Sequence, residues 1–280
     1  MKLCIRGHDL GAWGINEIVE KSKFYGVDGL QLVCYKVFDE TKYEPGSITE
    51  ETAKMIGAKL AENNISVPLI GAYFNPVHSN KTKVENCKNV YKDYLKYAKI
   101  LGSECVGSET GSFNDDDWSY NPKNRTDEAL QEVVSVFSEL CDYALDYGSY
   151  VAMEGAAGHV CYNVETLAKA QKIMNRKNTR VIFDLFNYMD KDNQGDYLDI
   201  LDRGLDTFGD KILLFHMKDC IFHNDKAPVQ VPYGKGEMNI PEVLKRIKAH
   251  NKDAILTLED TAGEHIPFAV ETIRKIWEEV

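Results

Sequence analysis

No stretch of this chain approaches the roughly 20 consecutive apolar residues that a membrane-spanning helix needs. Its start, MKLCIRGHDLG, has no long apolar segment and no small-residue cleavage site. The sequence therefore predicts no membrane partner and no targeting segment. Positive charge is scarce: 33 Lys and Arg stand against 44 Asp and Glu, a net charge of −11. An acidic surface disfavours non-specific attraction to nucleic acid, so no nucleic-acid partner is expected, a local basic groove aside. The seven cysteines are odd in number, scattered, and never in C-x-x-C spacing. That argues against a disulfide framework or a cysteine zinc site and predicts reduced thiols in a cytoplasmic protein. Internal repeats, low-complexity tracts and composition shifts are also missing from the 280 residues. One domain spanning 1–280 is the expectation.

What is present is an alternation. Short β-rich runs occur at 2–6, 29–35, 65–73, 104–109, 150–154, 180–184, 211–216 and 254–259. Each carries apolar or β-branched residues and is bounded by Gly, Asn, Asp or Thr. Helical patterns lie between them. Thr49 and Thr126 precede acidic residues, as N-caps do, and Pro241 suits a first helical turn. Gly102, Gly148 and Gly209 fall where C-terminal caps are expected, and the last helix is placed at 265–279. Eight strand–helix units close most naturally into a (β/α)8 TIM barrel, an α/β fold. An open doubly wound sheet is the alternative.

In such a barrel the strand C-termini surround the active site. Four consecutive strand candidates end in Glu154, Asp184, His216 and Glu259. Closure makes those ends neighbours on one rim. Three carboxylates in one dry pocket repel, and one would have to take up a proton. A single divalent cation removes the conflict. Oxygen-rich ligation with one imidazole suits Mn²⁺ or Mg²⁺, with Co²⁺ and Zn²⁺ also compatible. Taken singly, each of these residues reads equally well as a helix cap or an ion-pair partner.

The segments VAMEG, VIFDLFN, LLFHMKD and LTLED carry these four residues; GVDGLQL, SETG and YGKGEMNI accompany them in order. Together they resemble the xylose isomerase-like barrel superfamily of sugar isomerases and epimerases, over essentially the whole chain. The resemblance implies one divalent metal held by Glu154, Asp184, His216 and Glu259. It also implies a small sugar-like substrate: a ketose, a polyol-derived compound or an inosose. Glu154 and Glu259 would be the catalytic carboxylates, moving a proton through a metal-stabilised enediolate from opposite faces. This chain departs from the family at several places. It has Asn187 where many relatives have His, Phe222 where epimerases have Arg, Gln31 where Glu is frequent, and Ala156 where xylose isomerases proper have Lys.

Further candidates for substrate binding are His8, Glu109, His159, Asn187 and Lys218. For Lys218 the competing reading is a surface salt bridge; for His8, a loop hydrogen bond; for Glu109, a purely structural role. His78 is a weaker candidate, and His223, His250 and His265 read as surface residues. The 111–125 segment, GSFNDDDWSYNPKNR, is long for a βα loop and predicts a lid, with Trp118 or Phe113 covering a sugar face. YGKGEMN, at 233–239, does not follow the P-loop pattern and predicts a flexible loop shaping the pocket.

The leading functional expectation is a metal-dependent sugar isomerase or epimerase of carbohydrate metabolism. A dehydratase on the same metal site is the alternative. An apurinic endonuclease on this fold needs more histidines than the strand ends offer, and a non-catalytic sugar-binding protein would not need all four ligand types. Assembly into a homo-oligomer stays open at this stage.

Overall fold

The computed structural model describes all 280 residues. Eight parallel strands form a closed barrel: β1 (Lys2–Arg6), β2 (Gly29–Leu32), β3 (Ser66–Gly71), β4 (Cys105–Glu109), β5 (Tyr150–Glu154), β6 (Thr179–Asp184), β7 (Ile212–Met217) and β10 (Ile255–Leu258). β1 pairs with both β2 and β10, which closes the ring. A two-stranded antiparallel hairpin, β8 (Asp219–Ile221) and β9 (Val229–Val231), follows β7.

Eight helices surround the barrel: α1 (Ile15–Tyr25), α2 (Glu50–Glu62), α3 (Lys81–Tyr97), α4 (Asp127–Leu145), α5 (Val164–Met174), α6 (Tyr197–Phe208), α7 (Ile240–His250) and α8 (His265–Glu279). Their starts follow from local chemistry. Thr49 accepts from Thr52 N–H and Thr126 from Ala129 N–H, each satisfying an orphan donor of the first turn. Asn80, Asn163 and Asn239 cap α3, α5 and α7 in the same way. Each helix turns an apolar stripe inward onto the strands, and the layer between them is the main core.

The barrel interior is a separate, smaller core of Leu69, Cys105, Ala152, Ile182 and Leu214. Space there is tight: a Cβ on Gly107 would lie 2.6 Å from Ile182 Cδ1. Side chains alternate along a strand, so residues two positions further on face the same lumen. The strand register therefore positions the site. Ala152 and Ile182 are followed two residues later by Glu154 and Asp184, Leu214 by His216, and Gly107 by Glu109.

Several boundaries differ from the sequence pattern. The 29–35 run ends as a strand at Leu32, because its last ladder partner is Ile70. Residues Cys34–Lys36 then form a 3₁₀ turn. The β8–β9 hairpin was not foreseen; three-residue strands are too short to show a period.

Candidate metal and active site

Glu154, Asp184, His216 and Glu259 converge at the C-terminal mouth of the barrel. One ligand atom from each lies within 4.8 Å of the others, and all four residues are buried. Register explains the convergence. Asp184 pairs directly with His216, and His216 pairs with Thr257, two residues before Glu259. Glu154 pairs with Ile182, two before Asp184. All four side chains therefore project from the same inner face at nearly one height.

The electrostatics of the cluster favour a positive charge at its centre. Burial pushes the His216 imidazole toward neutrality, but the facing Glu259 and Glu154 outweigh it and raise it well above the usual histidine range; a divalent cation among the same carboxylates would take that proton's place on Nδ1. Burial raises the Glu154 carboxyl above its ordinary value despite His216. In Glu259, burial is overcome by His216, Lys218 and Arg6, which together hold the carboxyl well below the usual range. Asp184 is likewise held low, with Lys218 and His216 overriding its burial.

A divalent cation fits this donor set. Asp184 Oδ2, His216 Nδ1 and Glu259 Oε2 are all buried without a well-directed hydrogen bond, and the one ammonium near the two oxygens is that of Lys218. They face one another: His216 Nδ1 lies 3.4 Å from Asp184 Oδ2 and 2.7 Å from Glu259 Oε2. Carboxylates crowded together in a buried site are costly unless positive charge joins them, and a divalent cation would supply more of it than the single Lys218 ammonium does. Three carboxylates and one imidazole suit a hard or borderline divalent ion.

Around the four ligands stands a polar ring. Arg6 Nη1 donates to Glu259 Oε1 at 2.5 Å, and the same guanidinium clasps both Asp9 oxygens at 2.8 and 3.0 Å. Asp260 also pairs with Arg6, while its own N–H donates to Asp9 Oδ2 at 2.9 Å. Asp260 has φ +53°, a left-handed conformation that this clamp sustains in a non-glycine residue. Asn187 bridges three groups. Its Nδ2 donates to Glu154 Oε1 at 2.7 Å, its backbone N–H to Asp184 Oδ1 at 2.9 Å, and its Oδ1 accepts from Lys218 Nζ at 3.1 Å.

Lys218 is no surface residue. Its side chain is 6% exposed, and its ammonium lies 2.9 Å from Asp184 Oδ2 and 3.4 Å from Glu259 Oε2. Glu109 stands beside Glu154 in direct register on β4 and β5. Burial, then the charge of Glu154, raises its carboxyl well above the usual carboxylate range. His8 sits near Glu259 and Asp260; burial and Arg6 lower its imidazole to about 4. His159 makes no hydrogen bond or ion pair with the four ligands. It is buried against Trp118, with ring centroids 5.6 Å apart, and burial lowers it to about 4. His78 lies outside the cluster beside Asp115 and Asp116.

Two loops are more fixed than the sequence suggested. Within 111–125, buried Asn124 donates to Ser112 Oγ and Gly158 O, and Asn75 donates to Ser112 O and Asp115 O. Arg125 ties the end of this loop to Ala157 O and His159 O. The expected lid is thus an ordered, stitched segment. In the loop after β9, the buried Asp219 carboxylate accepts from the N–H groups of Cys220, Gly234, Gly236 and Met238. A Cβ at Gly236 would lie 2.2 Å from Asp219 Oδ1, so the backbone's close approach requires glycine there.

Gln31, Tyr73 and Arg6 complete the polar ring although the sequence did not single them out as site residues. Gln31 was visible only as a departure from a pattern. Tyr73 lies two residues past the last residue of β3, where the alternation of the strand still applies.

Residues 19–277 match the family model described as xylose isomerase-like TIM barrel. The chain belongs to the xylose isomerase-like TIM barrel family. An uncharacterized protein of Methanocaldococcus jannaschii, MJ1311, is 25% identical over 189 residues, covering 66% of this chain. The chain spans 60% of the length of that relative. Among solved structures, a D-tagatose 3-epimerase-like protein superposes with a TM-score of 0.77 at 19% identity, over 100% of this chain and 98% of the other. The IOLI protein with a bound zinc atom gives 0.72 at 18%, over 100% and 97%. At these identities the structural likeness establishes the barrel fold. No helix is long and apolar enough to cross a membrane.

Proposed function

We propose that this xylose isomerase-like barrel is a divalent-metal-dependent isomerase or epimerase acting on a small, polyhydroxylated carbonyl compound. The observation that carries the reading is the convergence of three buried carboxylates and one imidazole, Glu154, Asp184, Glu259 and His216, with ligand atoms all within 4.8 Å of one another. A D-tagatose 3-epimerase-like protein and a zinc-binding IOLI protein share the fold, which supports the reaction class and the metal.

A bound divalent cation would supply Lewis-acid stabilisation for the negative charge that develops on substrate oxygens when a neighbouring C–H loses its proton. The protein's own residues divide the remaining work. Glu154 takes the proton. Its oxygens accept from Asn187 Nδ2 at 2.7 Å and Tyr73 OH at 3.5 Å, no Lys or Arg pairs with them, and burial holds its carboxyl above the ordinary value despite His216. Glu259 is the weaker base, because Arg6 and Lys218 neutralise it. Lys218 offers an ammonium to a substrate hydroxyl or carbonyl oxygen. Glu109, beside Glu154 at the pocket mouth, hydrogen-bonds a sugar hydroxyl.

Dehydration is a second reading, favoured by one observation. The buried ammonium of Lys218 touches Asp184 and Glu259. In that reading Lys218 would stabilise the negative charge of the departing hydroxyl, and the proton taken up by Glu154 would leave with it as water.

The test is elemental analysis of purified protein followed by a panel of ketoses and inososes incubated in D₂O. Uptake of about one divalent ion per chain, with deuterium entering beside the carbonyl, supports the reading. Product of unchanged mass apart from deuterium assigns isomerisation; loss of water assigns dehydration. No exchange with any member of the panel in metal-loaded protein overturns the proton-transfer function.

A further inference from the structure

His216 Nε2 lies 2.8 Å from Gln31 Oε1. An amide oxygen carries no hydrogen, so Nε2 is the donor. Nδ1 is therefore the nitrogen turned to the carboxylates, 3.4 Å from Glu154 Oε1 and from Asp184 Oδ2. The other end of the amide is also engaged: Gln31 Nε2 donates to Tyr73 OH at 2.7 Å. With that lone pair taken, the Tyr73 hydrogen turns to Glu154 Oε2, 3.5 Å away. The four residues form a one-directional chain, His216 to Gln31 to Tyr73 to Glu154, in which each donates to the next. It runs behind the ligand cluster and joins two of its members.

A reversed amide would reverse the chain. Gln31 Nε2–H would then donate to His216 Nε2, which would move the ring hydrogen to Nδ1, among the ligand oxygens. Tyr73 would turn its hydrogen to Gln31 Oε1 and leave Glu154. One amide orientation thus sets both the face that His216 presents and the hydrogen bond that Glu154 receives. Outer partners of a metal-bound imidazole fix its tautomer in this way.

We propose that Gln31 and Tyr73 are positioning residues of the metal site: Gln31 commits Nδ1 of His216 to the cation, and Tyr73 fixes the Gln31 amide and passes its own hydrogen to Glu154. The proposal rests on the metal-site reading above. Side-chain chemistry separates the two roles. Glutamate at position 31 would accept from His216 Nε2–H and so keep the tautomer. Methionine would accept from neither neighbour. Phenylalanine at position 73 keeps the ring but leaves the Gln31 amide without an acceptor, so both amide orientations become accessible.

The experiment uses full-length protein with ¹⁵N-labelled histidine, titrated with ZnCl₂. Calorimetry gives the zinc affinity, and two-bond ¹H–¹⁵N spectra give the tautomer of His216, assigned with a His216→Gln variant. Wild type should bind zinc through Nδ1 with hydrogen on Nε2. Gln31→Met should lose roughly 10- to 100-fold in zinc affinity and show a second tautomer. Tyr73→Phe, the variant least able to disturb folding, should also show the second tautomer. Gln31→Glu should restore the single tautomer and wild-type zinc affinity or better. An unchanged His216 spectrum and zinc affinity in both Gln31→Met and Tyr73→Phe would overturn the proposal while the metal site stands. Wild-type protein that takes up no zinc would overturn the metal site and the proposal together.

Discussion

Arg6 Nη1 meets Glu259 Oε1 at 2.5 Å, and these two residues are 253 positions apart in the chain. They stand at the ends of β1 and β10, so the pair closes the barrel seam at the level of the site. One guanidinium here pairs with Glu259, Asp9 and Asp260 together. Replacing Arg6 with Met should cost about 3 kcal/mol of stability, the scale for stranding a partly buried carboxylate. Urea denaturation measures it. Adding Asp9→Asn to that variant should recover part of the loss, because the two groups act as one network.

Glu154→Gln should keep the fold and lower proton exchange at least ~10²-fold, the usual contribution of a positioned general base. The readout is deuterium incorporation in D₂O beside the carbonyl of a responsive substrate. Wild-type exchange in this variant would remove Glu154 from the chemistry.

Lys218 occupies the same oxygens that a cation would use. Lys218→Met should therefore tighten Mn²⁺ binding by about tenfold, equivalent to ~1.4 kcal/mol, while turnover falls. Calorimetry and turnover measured side by side check the opposed directions. Weaker Mn²⁺ binding would place Lys218 as a support for the ligands instead of a competitor.

His159 gives a pH dependence with a defined sign. Burial lowers its imidazole from 6.5 to about 4 in the folded protein. Below pH 6.5 the unfolded chain takes up a proton that the folded chain refuses, so stability falls as pH drops, down to about pH 4. Above 6.5 the group contributes no slope. The loss over the full window is about 3 kcal/mol. Comparing wild type with His159→Gln in urea at pH 7 and pH 4.5 isolates it: the variant should lose less stability on acidification.

Asp219 accepts four backbone N–H groups from its own neighbour and the loop after β9. Asp219→Ala should destabilise the protein by ~2–4 kcal/mol, since those donors lose a charged acceptor. Hydrogen exchange should show the change concentrated at Gly234, Gly236 and Met238. Uniform exchange rates across variant and wild type would refute the pinned loop.

The strand–helix alternation was legible because period-two and helical patterns are local properties of the chain. The 265–279 helix and the 150–154 strand were read to the residue. The strand ends Glu154, Asp184, His216 and Glu259 were legible for the same reason, with the closed barrel as the added premise. Loop order was not legible. Asn75 and Asn124 look like ordinary loop residues until their side chains are seen spanning 37 and 12 positions to Ser112.

By itself the sequence determined the alternation of elements and which polar residues end the strands, since both follow from neighbouring residues and backbone periodicity. Only the tertiary structure decided who faces whom. Closure and register bring Gln31 to His216 across 185 positions and Tyr73 to Glu154 across 81. Those partnerships depend on where each strand sits in the ring, and no local pattern carries that information.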